Sequence, residues 1–294
     1  MFGMQRVGDL AWAAGDLRAR GFLLGATAGR TTLNGEGLQH EDGHSQVFAS
    51  VIPNCVSYDP TFGYELAVII HDGLRRMVGE QEDVFYYITV MNENYAHPGL
   101  DEIARVNPAA QAGILKGMYL FKTGAKKKLR TQLLGSGTIL REVIAAGELL
   151  EQDWDVGADV WSCPSFTELR REGLAVERWN LLHPADTAKK SYVEQCLEKQ
   201  EGPVIVSTDY VKSYPEQIRP FVPKGKTFKV LGTDGFGRSD TRGKLRHHFE
   251  VNCYWVVVTA LKALAEDGLV KPAVVEEAIK KYGLDPNKPN PLTA

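Results

Sequence analysis

The chain has 294 residues, of which 44% are hydrophobic and 24% are charged, with a net charge of −3. This composition is that of a globular protein with about two domains, and the charge argues against nucleic acid or an anionic membrane as a partner. No apolar run reaches the ~20 residues of a membrane-spanning helix, and no signal peptide is visible. Four scattered cysteines without a C-x-x-C pair predict reduced thiols in the cytoplasm.

The first hundred residues predict the later portion of a parallel α/β sheet. Apolar periodicity indicates a helix over 5–20, a strand over 21–27, a helix over 62–78 and a strand over 83–90. The apolar stripe of the first helix consists of Val7, Leu10, Ala11 and Ala14. These are too few strands for a whole domain, so we expect the start of this domain to be missing.

The remainder of the chain predicts a complete three-layer α/β domain with right-handed crossovers. A loop-rich linker is expected over 92–128. Strands are then predicted over 131–137, 155–163, 202–209 and 228–237, with helices over 138–152, 165–173, 245–268 and 272–283. The expected fold class is therefore α/β, with a partial domain over 1–105 followed by a complete domain over 106–294.

Residues His40 to His44 match H-E-x-x-H, the metal-binding pattern of zinc peptidases. A zinc site of that kind needs both histidines on one helical face. Glycines at 35, 37 and 43 favour a loop instead, and such glycine density lets the backbone pass close to a ligand or a partner chain. An imidazole on this loop is suited to proton transfer or oxyanion stabilisation. We therefore predict no metal ligands here.

Two further glycine-rich segments are candidate anion sites with competing structural explanations. Gly135-Ser136-Gly137 lies between a strand and a helix, where it could hold an anion, although tight-turn geometry alone explains it better. The segment 232–242 is interpreted as an anion site or, preferably, a subunit contact. His247 and His248 are interpreted as packing and surface residues.

Several long strings, in this order along the chain, resemble the family of homodimeric bacterial pyruvate dehydrogenase E1 components. They are "MFGMQRVGDLAWAAGDLRARGFLLGATAGRTTLNGEGLQHEDGHS", "IPNCVSYDP", "YYITVMNENY", "LLGSGTILREV", "SFTELRREG", "LGTDGFGRSD" and "LRHHFEV". The resemblance covers essentially all 294 residues but corresponds only to the C-terminal third of such an enzyme. It implies the end of a pyrimidine-binding domain followed by a transketolase-like C-terminal domain.

The resemblance also implies a reaction, its cofactors and its partners. The family uses thiamine diphosphate and Mg²⁺ to decarboxylate pyruvate and to acetylate the lipoyl group of the dihydrolipoyl acetyltransferase (E2), and it dimerises, here expected through the C-terminal domain. His40 matches the active-centre histidine, Phe2 matches an aromatic residue that packs on the aminopyrimidine ring, and Glu36 is a possible acidic neighbour.

The chain departs from the family pattern where the cofactor is anchored. It has no G-D-G motif followed by an Asn-containing run, which would hold the diphosphate and Mg²⁺, and no counterpart of the activating glutamate. We therefore expect the isolated chain to be inactive. The alternatives are a non-catalytic or split-subunit module that dimerises with a cofactor-binding partner, a transketolase-type ketol transferase and a zinc peptidase.

Overall fold

Two β-sheets form the frame of the protein, as seen in a computed structural model that describes residues 3–294. The first sheet has three parallel strands in the order β1-β3-β2, with β1 at an edge of the described sheet. Its elements are α1 (Gly3–Asp16), β1 (Phe22–Gly25), α2 (Ser45–Ser50), β2 (Cys55–Tyr58), α3 (Gly63–Leu74) and β3 (Phe85–Thr89). This arrangement confirms the predicted parallel α/β class.

The second sheet has five strands in the order β4-β6-β5-β7-β8, all parallel except β4. Its strands are β4 (Tyr119–Lys122), β5 (Leu129–Gly135), β6 (Val156–Ser162), β7 (Val204–Ser207) and β8 (Phe228–Leu231). The helices of this part are α4 (Leu100–Val106), α5 (Ala110–Lys116), α6 (Ile139–Trp154), α7 (Phe166–Leu182), α8 (Tyr192–Leu197), α9 (Ser213–Glu216), α10 (Arg242–His248), α11 (Cys253–Glu266) and α12 (Pro272–Lys281). Within residues 3–294, no helix is both long and apolar enough to cross a membrane.

Three differences from the sequence-based prediction concern whole elements. Helices α2, α8 and α9 and strand β2 were not predicted. Helices α4 and α5 and strand β4 lie within the expected linker over 92–128, so this segment is not loop-rich as predicted. The single helix predicted over 245–268 is two helices, because the chain turns at Glu250, whose φ is 64°, and Asn252 then caps α11 by accepting the backbone N–H of Trp255.

Only part of the predicted apolar stripe of α1 faces the core. The helix packs through Met4, Ala11 and Gly15 against α2 and the first sheet, whereas Val7 and Leu10 are exposed. A Cβ on Gly15 would meet the side chains of Ile52 and Phe85 at 3.3 Å, so the small residues allow a close approach. The buried face of α1 is therefore set by the close approach that its small residues allow and not by the size of its apolar side chains.

The carboxyl ends of strands from both sheets meet at one polar junction. Asp59 follows β2, and its carboxylate accepts hydrogen bonds from Thr89 Oγ1 at 2.7 Å and from Ser136 Oγ at 2.8 Å. Ser136 lies just after β5 and therefore belongs to the second sheet's edge. The backbone N–H of Gly137 also donates to the Asp59 carbonyl at 3.1 Å. The glycine-rich loop, residues 26–44, is held near this junction by both sheets, because the N–H of Ala28 donates to the Val90 carbonyl at 3.0 Å and that of Arg30 to the Asp209 carbonyl at 3.3 Å.

Candidate functional site

The five residues of the HEDGH motif have five separate environments. His40 ends a 3₁₀ turn at Leu38–His40, and His44 is the N-cap residue of α2, so the two imidazoles do not share a helical face. Asp42 caps α2 by accepting the backbone N–H of Ser45 at 3.0 Å. Gly43 is packed against the Arg30 guanidinium, where a Cβ would clash. The geometry of a helical zinc-peptidase motif is therefore not present.

His40 lies on the wall of a cavity of about 590 Å³. The imidazole is partly exposed, and its Nδ1 lies 3.7 Å from Glu36 Oε2, which is also exposed. The other lining residues come from α1, β1, the start of the glycine-rich loop and β3, and they are Met4, Val7, Leu23, Leu24, Gly25, Ala26, Thr27, Leu33, Tyr87 and Asn92. The structure thus brings together two of the three predicted site residues. The third, Phe2, lies outside the described residues.

Asp209, which follows β7, holds the beginning of the glycine-rich loop. Its carboxylate accepts the backbone N–H of Thr31 at 3.1 and 3.2 Å, and its carbonyl accepts that of Arg30 at 3.3 Å. Gly29 has a φ of 92°, and a Cβ there would clash with the same carboxylate. The loop that carries His40 is therefore fixed by the second sheet as well as by the first.

Three buried carboxyl groups around this loop have raised pKa values. Burial raises the pKa of Asp59, of Asp209 and of Glu41 to about 7 in each case. Hydrogen bonds that favour the carboxylate oppose the shift, from Thr89 and Ser136 to Asp59 and from Thr31 to Asp209. Burial lowers the pKa of the neighbouring His44 imidazole. The loop is thus held by acids that change protonation near neutral pH.

The two glycine-rich segments proposed as anion sites are occupied by groups of the chain itself. At Gly137, which has a φ of 50°, a Cβ would lie 2.5 Å from Asp59 Oδ2, so the turn at 135–137 holds this carboxyl. In the segment 232–242, Arg242 Nε donates to the carbonyl of Thr32 at 2.7 Å. The segment therefore makes a contact within the chain, to the glycine-rich loop.

A buried arginine at the junction was missed by the sequence analysis. Arg246 pairs with Glu93, which also accepts from Arg141 Nη1 at 2.7 Å, and with Glu142 at 3.3 Å. Arg246 follows the buried Leu245 in the segment read as one long helix, and nothing in that pattern marks it as a junction residue. The neighbouring His247 and His248 are both half-buried, in agreement with packing and surface positions.

No group of three or more His, Cys, Asp or Glu side chains in the described part of the chain is arranged to hold a metal ion. The four cysteines are free thiols. The chemistry available from the described residues is therefore an imidazole with a nearby carboxylate, at the wall of a partly apolar cavity.

The fold is similar to that of transketolases. A transketolase from Campylobacter jejuni superposes with a TM-score of 0.58 at 18% identity, and the match covers 88% of this chain and 34% of that one. A structure described as a split gene transketolase, inactive beta4 tetramer, superposes with a TM-score of 0.53 at 15% identity, over 83% of this chain and 67% of that one. These likenesses establish a transketolase-like α/β architecture.

Sequence comparisons identify the family. The model of the pyruvate dehydrogenase E1 component middle domain matches residues 1–98, and that of the transketolase-like C-terminal domain matches residues 117–252. The chain is 65% identical over its whole length to the pyruvate dehydrogenase E1 component of Cupriavidus necator and 55% identical to that of Escherichia coli K12. It spans about a third (32%) of the length of each of these relatives. The chain belongs to the bacterial pyruvate dehydrogenase E1 component family and matches the C-terminal part of its members.

Proposed function

We propose that this chain supplies part of the active centre of a pyruvate dehydrogenase E1 enzyme, which oxidatively decarboxylates pyruvate and reductively acetylates the lipoyl group of E2. The observation that supports this most directly is the position of His40. Its imidazole lies on a cavity wall, 3.7 Å from Glu36, on a loop anchored by both sheets. The family membership of the chain supports the reaction.

In this proposal His40 moves a proton in the transfer to the lipoyl group. Opening of the lipoyl dithiolane leaves a sulfur that needs a proton, and an imidazole can donate one near neutral pH. Glu36 can form an ion pair with the His40 ring when the ring is protonated, which orients the ring. The partial exposure of both side chains leaves them accessible from the cavity.

The described residues fit one part of thiamine diphosphate. Leu23, Leu24, Met4 and Val7 give the cavity an apolar wall, which suits an aromatic ring, and Phe2 is proposed to pack on that ring. Bound thiamine diphosphate supplies the electron sink for loss of the carboxyl group. Among residues 3–294, no group of acidic or other metal-binding side chains is arranged to hold the Mg²⁺ that accompanies the diphosphate. We infer that another polypeptide segment anchors that end of the cofactor.

The isolated chain is therefore proposed to be inactive and to function only with a cofactor-binding segment. The likeness to a chain described as a split gene transketolase, inactive beta4 tetramer, supports this, because that chain has the same architecture. The proposed partners are a second copy through the C-terminal domain, E2 and pyruvate. The proposed compartment is the cytoplasm, in keeping with four free thiols. The boundary between residues 105 and 106 remains our proposed domain division.

A chimeric enzyme tests the proposal. The matching third of the Cupriavidus necator relative is replaced by this chain, and pyruvate decarboxylation and acetylation of a lipoyl domain are measured separately. We expect an active chimera in which His40→Ala lowers lipoyl acetylation by about 10²-fold or more. His183→Ala, at an exposed histidine stacked on Trp179, is the matched control and should have no effect.

Two outcomes would contradict the proposal. One is a folded chimera that shows neither reaction, which would favour a non-catalytic module. The other is full lipoyl acetylation by the His40→Ala chimera, which would remove His40 from the reaction. Turnover of pyruvate by the purified chain alone would contradict the expected inactivity.

A further inference from the structure

Glu41 is a buried acid next to His40 that the proposed chemistry does not use. Its side chain is turned away from the cavity, is only 3% exposed and reaches the loop formed by residues 232–241. Glu41 Oε2 accepts the backbone N–H of Arg238 at 2.7 Å. In the described part of the chain, Glu41 Oε1 is buried and has no hydrogen-bond partner. A buried carboxyl held by one bond to a distant segment requires an explanation.

The same loop contacts the other side of the His40 turn. A Cβ on Gly237 would clash with the carbonyl oxygen of Leu38 and would lie 3.1 Å from Glu41 Cβ. Leu38 and Glu41 flank the last residues of the 3₁₀ turn, and the N–H of Glu41 donates to the Leu38 carbonyl at 3.4 Å. The loop 232–241 therefore contacts the turn before and after His40.

We propose that Glu41 is a positioning residue, whose hydrogen bond to Arg238 fixes the His40 turn against the loop 232–241 of the second sheet. Through this contact the C-terminal part of the chain determines the orientation of the His40 imidazole. The contact itself is a property of this chain alone. Its consequence for catalysis rests on the proposed function.

The charges around Glu41 make the contact sensitive to pH. Among residues 3–294, two cations face it, the Arg30 guanidinium from the glycine-rich loop and Arg238 from the opposite loop, and both favour the carboxylate. Arg30 is shared with Asp42, Asp209 and Asp234, which weakens its effect on Glu41. Burial outweighs these cations and raises the pKa of Glu41 to about 7. The closed contact therefore holds the Glu41 proton more strongly than an opened, solvated state does, so the contact should weaken as pH rises through about 7.

The test observes the His40 ring directly in the full chain. Of the seven histidines, the His40 signal in the NMR spectrum is assigned by its loss in His40→Gln. In the wild type we expect its chemical shift to show a second inflection near pH 7 from Glu41. Glu41→Gln keeps an acceptor for Arg238 but cannot ionise, so the signal should stay sharp and lose this inflection. Glu41→Leu should shift or broaden the signal at every pH.

Proteolysis gives a second readout that does not depend on NMR. If Glu41 holds the loop, trypsin should cleave after Arg238 about tenfold faster in Glu41→Leu, since loss of one charge-assisted hydrogen bond increases local opening by about that factor. The matched control is Glu172→Leu, which removes another carboxylate acceptor of a backbone N–H, that of Tyr192 at 2.8 Å. It should leave cleavage after Arg238 unchanged.

A second variant, Gly237→Ala, tests the same contact if Glu41→Leu fails to fold. The added methyl forces the loop away from Leu38 without changing any acid, and it should also shift the His40 signal and accelerate cleavage. An unchanged His40 signal and unchanged cleavage in both variants would overturn the proposal. Because neither readout requires turnover, this failure is distinct from an inactive chimera or an active His40→Ala chimera.

Discussion

Replacing Asp59 by asparagine should stabilise the folded chain above neutral pH. Asp59 is buried at the junction of the two sheets and accepts hydrogen bonds from Thr89 and Ser136. Asparagine has nearly the same shape. Its carbonyl can accept from one hydroxyl, and its amide can donate to the other once that hydroxyl rotates. The substitution therefore removes a buried charge while it keeps the junction hydrogen-bonded.

The size of the effect follows from the difference between folded and unfolded pKa values. The pKa of Asp59 rises from 3.8 to about 7 on folding, because burial disfavours the charged form. The folded chain thus holds the proton more strongly than the unfolded chain, and stability falls as pH rises from about 4 to about 7. Each pH unit is worth about 1.4 kcal/mol, which sets an upper value of about 4 kcal/mol. Hydrogen-bond rearrangement and water entry reduce it, so we expect about 1–3 kcal/mol at pH 8.

Urea unfolding of the wild type and of Asp59→Asn at a series of pH values between 4 and 8 measures this effect. The difference in free energy of unfolding should be small near pH 4, grow with pH and level off above 7. Because Glu41 titrates in both proteins, its contribution cancels, and the difference reports Asp59 together with the effect of the Asp59 charge on the pKa of Asp209. Asp101→Asn, at an exposed carboxylate, is the control and should show no such growth. A pH-independent difference for Asp59→Asn would refute the reasoning.

Two further substitutions test the buried core and the exposed sheet edge. Glu65 is the buried acceptor of Tyr119, Ser162 and the backbone N–H groups of residues 61 and 62, and Glu65→Leu removes it. The free energy of unfolding should fall by about 3–5 kcal/mol in Glu65→Leu and by clearly less in Glu65→Gln. Equal losses in the two variants would show that the hydrogen bonds to Glu65 do not determine its contribution to stability. The unpaired edge of β1 in the described sheet can pair with a second chain, so we expect the isolated chain to self-associate there as well. Leu24→Lys, at a residue 57% exposed on β1, should weaken this self-association in sedimentation velocity and change stability by no more than about 0.5 kcal/mol. Leu181→Lys, at an exposed leucine of α7, should leave self-association unchanged, and an equal effect of both would exclude the β1 edge as the contact.

The sequence predicted most of the long elements because their periodicity is strong. Helices α6 and α12 and strands β5 and β6 lie within a few residues of their predicted positions. Helix α2 was missed because its six residues make fewer than two turns, and strand β2 because its four residues include a serine and directly follow the turn-forming pair Pro53-Asn54. The break before α11 depends on the positive φ of Glu250, a residue type that does not favour it. Prediction from local sequence patterns therefore failed where tertiary contacts determine the backbone conformation.

The candidate site could be predicted only in part for the same reason. His40 and Glu36 were identified through a resemblance to a family and through glycine density. Asp59 and Asp209 each follow a buried strand, which is a weak signal for a polar sheet edge. Neither segment alone predicts that these two sheet edges meet, because the junction forms between strands of different sheets. The raised pKa values are a consequence of that meeting and were equally inaccessible.

The buried acids at the junction affect both the stability of the fold and the relative position of the two sheets. Glu41 and Asp209 each accept a backbone N–H from across the junction, of Arg238 and of Thr31, and Asp59 accepts the hydroxyl of Ser136 there. Each is buried with a raised pKa, so each costs stability when it ionises. Apolar side chains would bind the sheets more tightly but without fixed hydrogen-bond directions. We infer that these acids fix the relative position of the sheets, and with it that of His40, at a cost in stability.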